Sequence, residues 1–531
     1  MGFFTRRQAM GAAALALGFG VFLSRILGLV RDKIISYHFG AGDEADVYFA
    51  SFVVPDFLNY LLAGGYFSIT LVPLLATAFH RDEADGWRFF SAAVAWAFLA
   101  IALLTLVAWA LVPALVPLAA PGFSPEKQER LAFFLRIILP AQVCFLPGAC
   151  FSAMLYYRRQ FLAPALTPLI YNLCIIAGGL LLFFHSPERG MEGFCWGVPV
   201  GAFLGAFLLP FLAVRAGGLS FSAPSRAVLR HPAMKALLLL ALPLMLGQSV
   251  VALDEQFVRV FGSLTGEGGV SLLNYARRVM LVPVGVVAQA AGLASYPFLA
   301  ALAAENNRRA FDDTLNRAAG TTLLVALPLS LWMMTIAVPL MRLLFQQGLF
   351  SPGAAARSGL LLALMLAAVA FWAIQQIIGR AFYAHKDTLT PALAGTAVTL
   401  LALPLQYLGA TRLGPPGVAL AGTLAVTLYA VLLCLLWTRR FGPNGLARIP
   451  GTAARALLLC LPACAAAYGV TLLSPFPEHS LPGAFAAICV SGLAFALLYL
   501  GLGRILAPAL VSPFLRLGEK ALRRLRRERK E

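Results

Sequence analysis

The stretch GAAALALGFGVFLSRILGLVRDKIISYHFG, residues 11–40, decides how the rest of the chain is read. Gly11 to Leu23 is apolar throughout, and Thr5-Arg6-Arg7-Gln8 in front of it looks like a twin-arginine or secretory signal. The run then meets Arg25 with no polar region around a cleavage site, so it reads as an uncleaved first membrane helix. That helix carries charge where lipid should be. Arg25 and Asp32 are seven apart and share a face, with Gly28 between them leaving the stripe open, while Arg31 projects elsewhere. Charges at such depth are costly and mark a watery cavity or a partner.

Working outward, the whole chain has the same character. Of 531 residues, 60% are hydrophobic and 12% charged, with mean hydropathy +0.83. A soluble domain needs more charge to cover its surface. Apolar runs long enough to span a bilayer recur from end to end. We expect fourteen spans, near 10–30, 47–77, 89–118, 131–156, 162–184, 193–214, 236–258, 272–302, 318–341, 358–383, 391–409, 416–437, 453–473 and 482–507. The longest polar connector, from Arg215 to Lys235, is too short to bury a core of its own.

The net charge of +18 would suggest nucleic acid in a soluble protein. Here alternate connectors collect the basic residues, such as Arg158 and Arg159 or Arg308, Arg309 and Arg317, which places them in the cytoplasm with both termini. No nucleic-acid partner is expected. The tail Arg516–Lys530 spaces basic residues with Leu515, Leu517, Leu522 and Leu525, suited to lying on anionic phospholipid headgroups.

Phe39-Gly40 precedes Pro73-Leu74-Leu75-Ala76, and Phe261-Gly262 likewise precedes Pro297-Phe298-Leu299-Ala300. The offset is six spans, an even number, so the halves share one orientation. The fold class is thus all-α and polytopic, with two parallel six-helix lobes around a central cavity. The N-lobe covers 1–220 and the C-lobe 221–445; a terminal pair occupies 446–510 and the basic tail 511–531.

No nucleotide-binding, metalloprotease or serine-hydrolase signature is present. A transporter is expected, not an enzyme, without cofactor or metal. The eight cysteines all sit in apolar segments and read as packing residues. The informative residues are Arg25, Arg31, Asp32 and Asp46 in the first half, and Asp254, Arg277 and Arg278 in the second. Glu255 and Arg259 are four apart and can neutralise each other, and Arg31 and Lys33 could snorkel to the interface. Asp254 is expected to face the cavity, neutralised by Arg277 or Arg278. An arginine-rich cavity suits a diphosphate, which guanidinium grips in bidentate fashion.

The run Ser24-Arg25-Ile26-Leu27-Gly28-Leu29-Val30-Arg31-Asp32, then Phe39-Gly40-Ala41-Gly42 and Asp46, closely resembles the opening of the MurJ (MviN) family. This family lies within the multidrug/oligosaccharidyl-lipid/polysaccharide exporter superfamily. Further matching stretches are Ala120-Pro121-Gly122-Phe123, Pro164–Asn172, Leu273-Asn274-Tyr275-Ala276 with Arg278, Phe345–Phe350, and Phe382-Tyr383-Ala384 with Lys386-Asp387 and Thr390-Pro391. The resemblance implies a monomeric inner-membrane flippase. It would carry lipid II, the lipid-linked diphosphate precursor of peptidoglycan, to the outer leaflet by alternating access. It also implies that Arg25, Arg31, Asp32, Asp46 and Arg278 line the cavity. The chain departs from the family pattern in the middle of helix 2, where Asn59-Tyr60 and Ala63-Gly64-Gly65 replace basic residues and an Ala-Glu-Gly. Arg277 and Asp254-Glu255 are further departures. They keep open a flippase for another undecaprenyl-diphosphate glycan, and a small-molecule cation antiporter is the more distant alternative.

Overall fold

The computed structural model describes residues 10–62, 66–222, 225–473 and 480–508, which form helices joined by short turns and no strand. The basic tail, Thr5–Gln8, Ala63-Gly64-Gly65 and residues 474–479 lie outside the described residues. Each of the fourteen expected spans falls on helix among the described residues. Eleven helical stretches there are long and apolar enough to cross a membrane.

The chain divides into two compact units, the first ending at Ser271 and the second beginning at Leu272. Unit 1 starts with α1 (Met10–Phe39). A broken second span follows as α2 (Asp43–Ala50), α3 (Val53–Leu62) and α4 (Tyr66–Arg81). Next come α5 (Glu83–Ala110), α6 (Val112–Ala119), α7 (Pro125–Ile138), α8 (Gln142–Tyr157) and α9 (Leu162–His185). The unit closes with α10 (Gly190–Gly201), α11 (Leu209–Ala216), α12 (Arg226–Leu229) and α13 (Pro232–Gly262). The seventh span, α13, packs on α3 and α4. The compact division therefore falls one span after the repeat boundary read near residue 220.

Unit 2 holds α14 (Gly269–Pro283) from Leu272 on, then α15 (Ala290–Ala304), α16 (Arg308–Thr335), α17 (Ala337–Phe345), α18 (Pro352–Leu366) and α19 (Val369–Ala384). It ends with α20 (Leu389–Leu413), α21 (Pro415–Phe441), α22 (Ile449–Leu472) and α23 (Leu481–Leu506).

The repeat is visible in the turns. Phe123-Ser124-Pro125 opens α7 and Phe350-Ser351-Pro352 opens α18. In each the serine hydroxyl accepts the amide three residues on and the proline takes the first helical turn. Both phenylalanines are buried. Just past the far ends of the spans that these turns open, Arg159 and Lys386 both adopt φ 60°. The third and ninth spans are capped alike, by the side chains of Asp82 and Asn307.

Lateral packing in unit 1 relies on glycine. Gly193, Gly197, Gly201 and Gly205 recur every four residues along one face and press against α9. A methyl on Gly197 would lie 2.6 Å from the Cys174 carbonyl oxygen, and one on Gly193 would lie 2.3 Å from that of Gly178. Without a hydrophobic force between helices in lipid, such close backbone approach supplies the adhesion. The eight cysteines are free thiols, with Cys150, Cys195 and Cys460 buried.

Candidate functional site

On α1, Arg31 does not snorkel. Its Nε and Nη2 donate to Asp32 Oδ1 at 3.0 and 2.9 Å, and Nη1 reaches Asn172 Oδ1 on α9 at 3.4 Å. The Arg31 side chain is 11% exposed and that of Asp32 is 0%. Gly28 lies against Asn172, which in turn donates to Ser24 Oγ and the Pro168 carbonyl. The first-helix charges are thus folded onto α9, while Arg25 stays on an exposed face.

Asp46 is fully buried on α2. One carboxylate oxygen accepts the Gly268 amide and the other the Ser271 amide, both at 2.7 Å. An acid receiving amides at the start of a helix is favoured by the helix dipole as well as by the hydrogen bonds. In this conformation its oxygens are already taken, so Asp46 holds backbone in place.

A second ionic cluster joins α3 to α13. Arg259 Nη1 donates to Asp56 Oδ2 at 2.7 Å and to Gln256 Oε1 at 3.1 Å, and Nη2 reaches Glu255 Oε1 at 3.2 Å. The Glu255–Arg259 pairing expected from spacing is present; Asp56 is the partner that the sequence reading missed. The sign of it was a lone carboxylate after Pro55 in an apolar run.

At the turns of unit 1, Arg130 bridges Glu44 and Glu192 at 3.0 and 2.9 Å, Arg189 adds to Glu192, and Lys127 pairs with Asp43. A shallow cleft of about 390 Å³ adjoins this network. Deeper among α4, α8, α9 and the π-helical turn Ala202–Leu208 lies an apolar cleft of about 600 Å³, lined by residues such as Pro73, Phe145, Ser152 and Pro168.

In unit 2, Arg277 and Arg278 lie half-buried on α14, each engaged with neighbours. The Asp254 side chain lies outside the described residues. Sequence reading also passed over Arg380 on α19. The described residues hold no group of three or more metal-ligating side chains. What the geometry offers is fixed guanidinium groups, buried acids that position them, and helix faces open to lipid.

The model of the family described as lipid II flippase MurJ matches residues 35–490. The chain belongs to this family. It is similar to the probable lipid II flippase MurJ of Rhizobium meliloti, 31% identical and covering 76% of each chain. It is also similar to the lipid II flippase MurJ of Burkholderia cenocepacia, 29% identical over 77% of this chain and 80% of that one. Among solved structures, an inward closed conformation of lipid II flippase MurJ superposes with TM-score 0.76 at 24% identity, covering 92% of this chain and 99% of that chain. An inward-facing MATE family transporter superposes with TM-score 0.66 at 15% identity, covering 81% of this chain and 98% of that chain. These likenesses bear out the all-α, many-span membrane fold. The chain is a multi-pass bacterial inner-membrane protein and a transporter, not an enzyme.

Proposed function

We propose that this protein carries lipid II from the cytoplasmic to the outer leaflet of the inner membrane, by alternating access, for peptidoglycan synthesis. The observation that carries the reading is the family match across residues 35–490. In this reading Arg25 and Arg31 of unit 1 and Arg278 of unit 2 contact the substrate's diphosphate during the cycle. Guanidinium keeps its charge at any relevant pH and matches two phosphate oxygens at once. Asp32 and Asp46, occupied by Arg31 and by backbone amides, hold the local geometry. In the same reading Asp254 is neutralised by Arg277 or Arg278. The repeat halves 1–220 and 221–445 and the tail on phospholipid headgroups belong to the same reading, as does a monomeric state. An inside-negative membrane potential favours outward movement of the diphosphate by about 2.3 kcal/mol per charge per 100 mV.

The test is rescue of a strain depleted of its essential lipid II flippase. Growth supports the reading. Failure at normal expression, with flipping of a different undecaprenyl-diphosphate glycan in proteoliposomes, replaces it with the same-superfamily alternative. Orientation is tested by a cysteine placed within 474–480 in a background lacking the eight native cysteines. With both termini cytoplasmic, it reacts with an impermeant maleimide on intact cells and a cysteine in the tail does not.

A further inference from the structure

Arg380 sits on α19, one turn before the helix ends at Ala384. The side chain is half-buried, and its neighbours differ from those of Arg31, Arg130 and Arg259. Its Nε is buried and has no hydrogen-bond partner among the described residues. Tyr383 and Tyr296 lie within electrostatic reach of it, and no carboxylate among the described residues does. Arg31, Arg130 and Arg259 each have an acid. Among the described residues no acid pairs with Arg380, on a membrane helix where an unpaired charge is expensive.

Its placement is built. The side chain is aimed at α15, where Gly292 leaves room for it; a methyl on Gly292 would lie 2.6 Å from Arg380 Nε. This face of α19 carries Gln376, Arg380 and Tyr383 at four- and three-residue spacing. The facing strip carries Gln289, Gly292 and Tyr296 at three- and four-residue spacing. A π-helical turn, Val284–Gln289, follows Pro283 and leads into that strip. Such turns recur at functional sites because they re-aim side chains. Tyr296 is 37% exposed, so the strip is open on one side. An arginine that merely snorkelled would extend past the helix end into headgroups. Here the guanidinium stem is turned sideways into the groove between two helices of one unit.

A guanidinium held in a groove with two tyrosines in reach, and with no acid paired to it among the described residues, is a donor set suited to an oxyanion. We propose that Arg380, with Tyr296 and Tyr383, forms a phosphate-binding site in unit 2 that holds a phosphate of the lipid-linked diphosphate substrate. It lies beside the 385–388 turn, which the basic-loop pattern puts on the cytoplasmic side, so it receives the headgroup at loading. This rests on the flippase reading above and adds a contact point to it.

The experiment is a native mass spectrometry titration of the full chain in detergent with undecaprenyl diphosphate. Undecaprenol serves as the uncharged control and phosphatidylglycerol as competitor. The wild-type chain should prefer the diphosphate. Arg380→Gln should weaken diphosphate binding at least tenfold, about 1.4 kcal/mol, and leave undecaprenol binding unchanged. Arg380→Lys should recover part of the loss. Gly292→Val, which displaces the guanidinium without removing it, should fall between. Wild-type affinity in Arg380→Gln would overturn the proposal, as would equal loss of diphosphate and undecaprenol, the mark of a packing role. Displacement by phosphatidylglycerol at the same concentration as the diphosphate would also overturn it, assigning the site to bulk lipid. A wild-type chain blind to the diphosphate would defeat the flippase reading itself, an outcome distinct from failure of Arg380 alone.

Discussion

Asp56 and Arg259 stand 203 residues apart in the chain and meet at 2.7 Å. Arg259 serves two acids, whereas each acid has that arginine in common, so the partners are not equivalent. Removing one member of a buried pair strands the other charge. Arg259→Ala takes their shared guanidinium from both Asp56 and Glu255, which are 29% and 31% exposed, and should cost about 2 kcal/mol. Asp56→Asn leaves Arg259 its bond to Glu255 and should cost only about 1 kcal/mol. Thermal unfolding of the variants in detergent checks the ordering. Equal losses would show that the cluster does not share its arginine as the distances imply.

The glycine ladder makes a sharper stability prediction. At Gly197 a side chain would collide with backbone of α9, which cannot step aside as a flexible side chain can. Gly197→Leu should therefore lower stability by at least about 1–3 kcal/mol, read as the fraction of protein surviving heating in detergent. Gly501→Ala is the control, because nothing lies within 4 Å of its added methyl. The control should match wild type.

Arg25 and Arg31 separate transport from folding. Arg25 is exposed, so Arg25→Ala should cost less thermal stability than Arg31→Ala and lose lipid II flipping in proteoliposomes. Arg31→Ala removes the guanidinium from a carboxylate that is 0% exposed and should also cost about 1–3 kcal/mol. Arg→Lys at either position keeps charge but loses the bidentate fork, so flipping should be reduced less than by alanine. Wild-type flipping in both Arg25→Ala and Arg278→Ala would remove these arginines from the transport path.

A pH-dependent contribution comes from the turn before α20. Burial works to raise the Asp387 carboxyl, but hydrogen bonds from the Thr390 amide and hydroxyl and the charge of Arg440 outweigh it. They hold the carboxyl below the usual carboxylate range. A depressed folded-state value stabilises the protein above the unfolded-state value of about 3.9, and the contribution fades as pH falls through the folded value. Asp387→Asn should thus lower Tm by a constant amount from pH 8 to about pH 5, with the gap closing in more acid buffer. A gap that widens on acidification would reverse the sign argued here.

How much of this was legible before folding depends on the distance over which each feature acts. Spans could be read because each is a local run of apolar residues. The Glu255–Arg259 pair could be read because four residues on a helix is a neighbour relation. Repeat equivalence was faint in residue identity, since only Phe-Gly and a Pro-Leu or Pro-Phe stretch recur. It is plain in backbone terms, where Ser124 and Ser351 cap alike and Arg159 and Lys386 turn alike. Asp56, by contrast, gives no local sign of Arg259. The meeting of Asp46 with Gly268 and Ser271 is equally non-local. Arg380 was passed over because its meaning comes from the lack of an acid paired with it among the described residues, which only packing reveals. The four-residue recurrence of Gly193, Gly197, Gly201 and Gly205 was readable all along, as a helix face made for close approach.

The carboxylate of Asp46 finds its second amide donor 225 residues later in the chain. At a synthesis rate of roughly 5–20 residues per second, Ser271 leaves the ribosome about ten to forty-five seconds after Asp46. Throughout that interval the nascent second span carries an acid with neither of its eventual donors. The early helices must wait at the insertion machinery, or in the company of water or a chaperone, until the seventh span has crossed. Truncations ending before residue 268 would then be recognised and degraded as unfinished, and those ending just beyond 271 would accumulate.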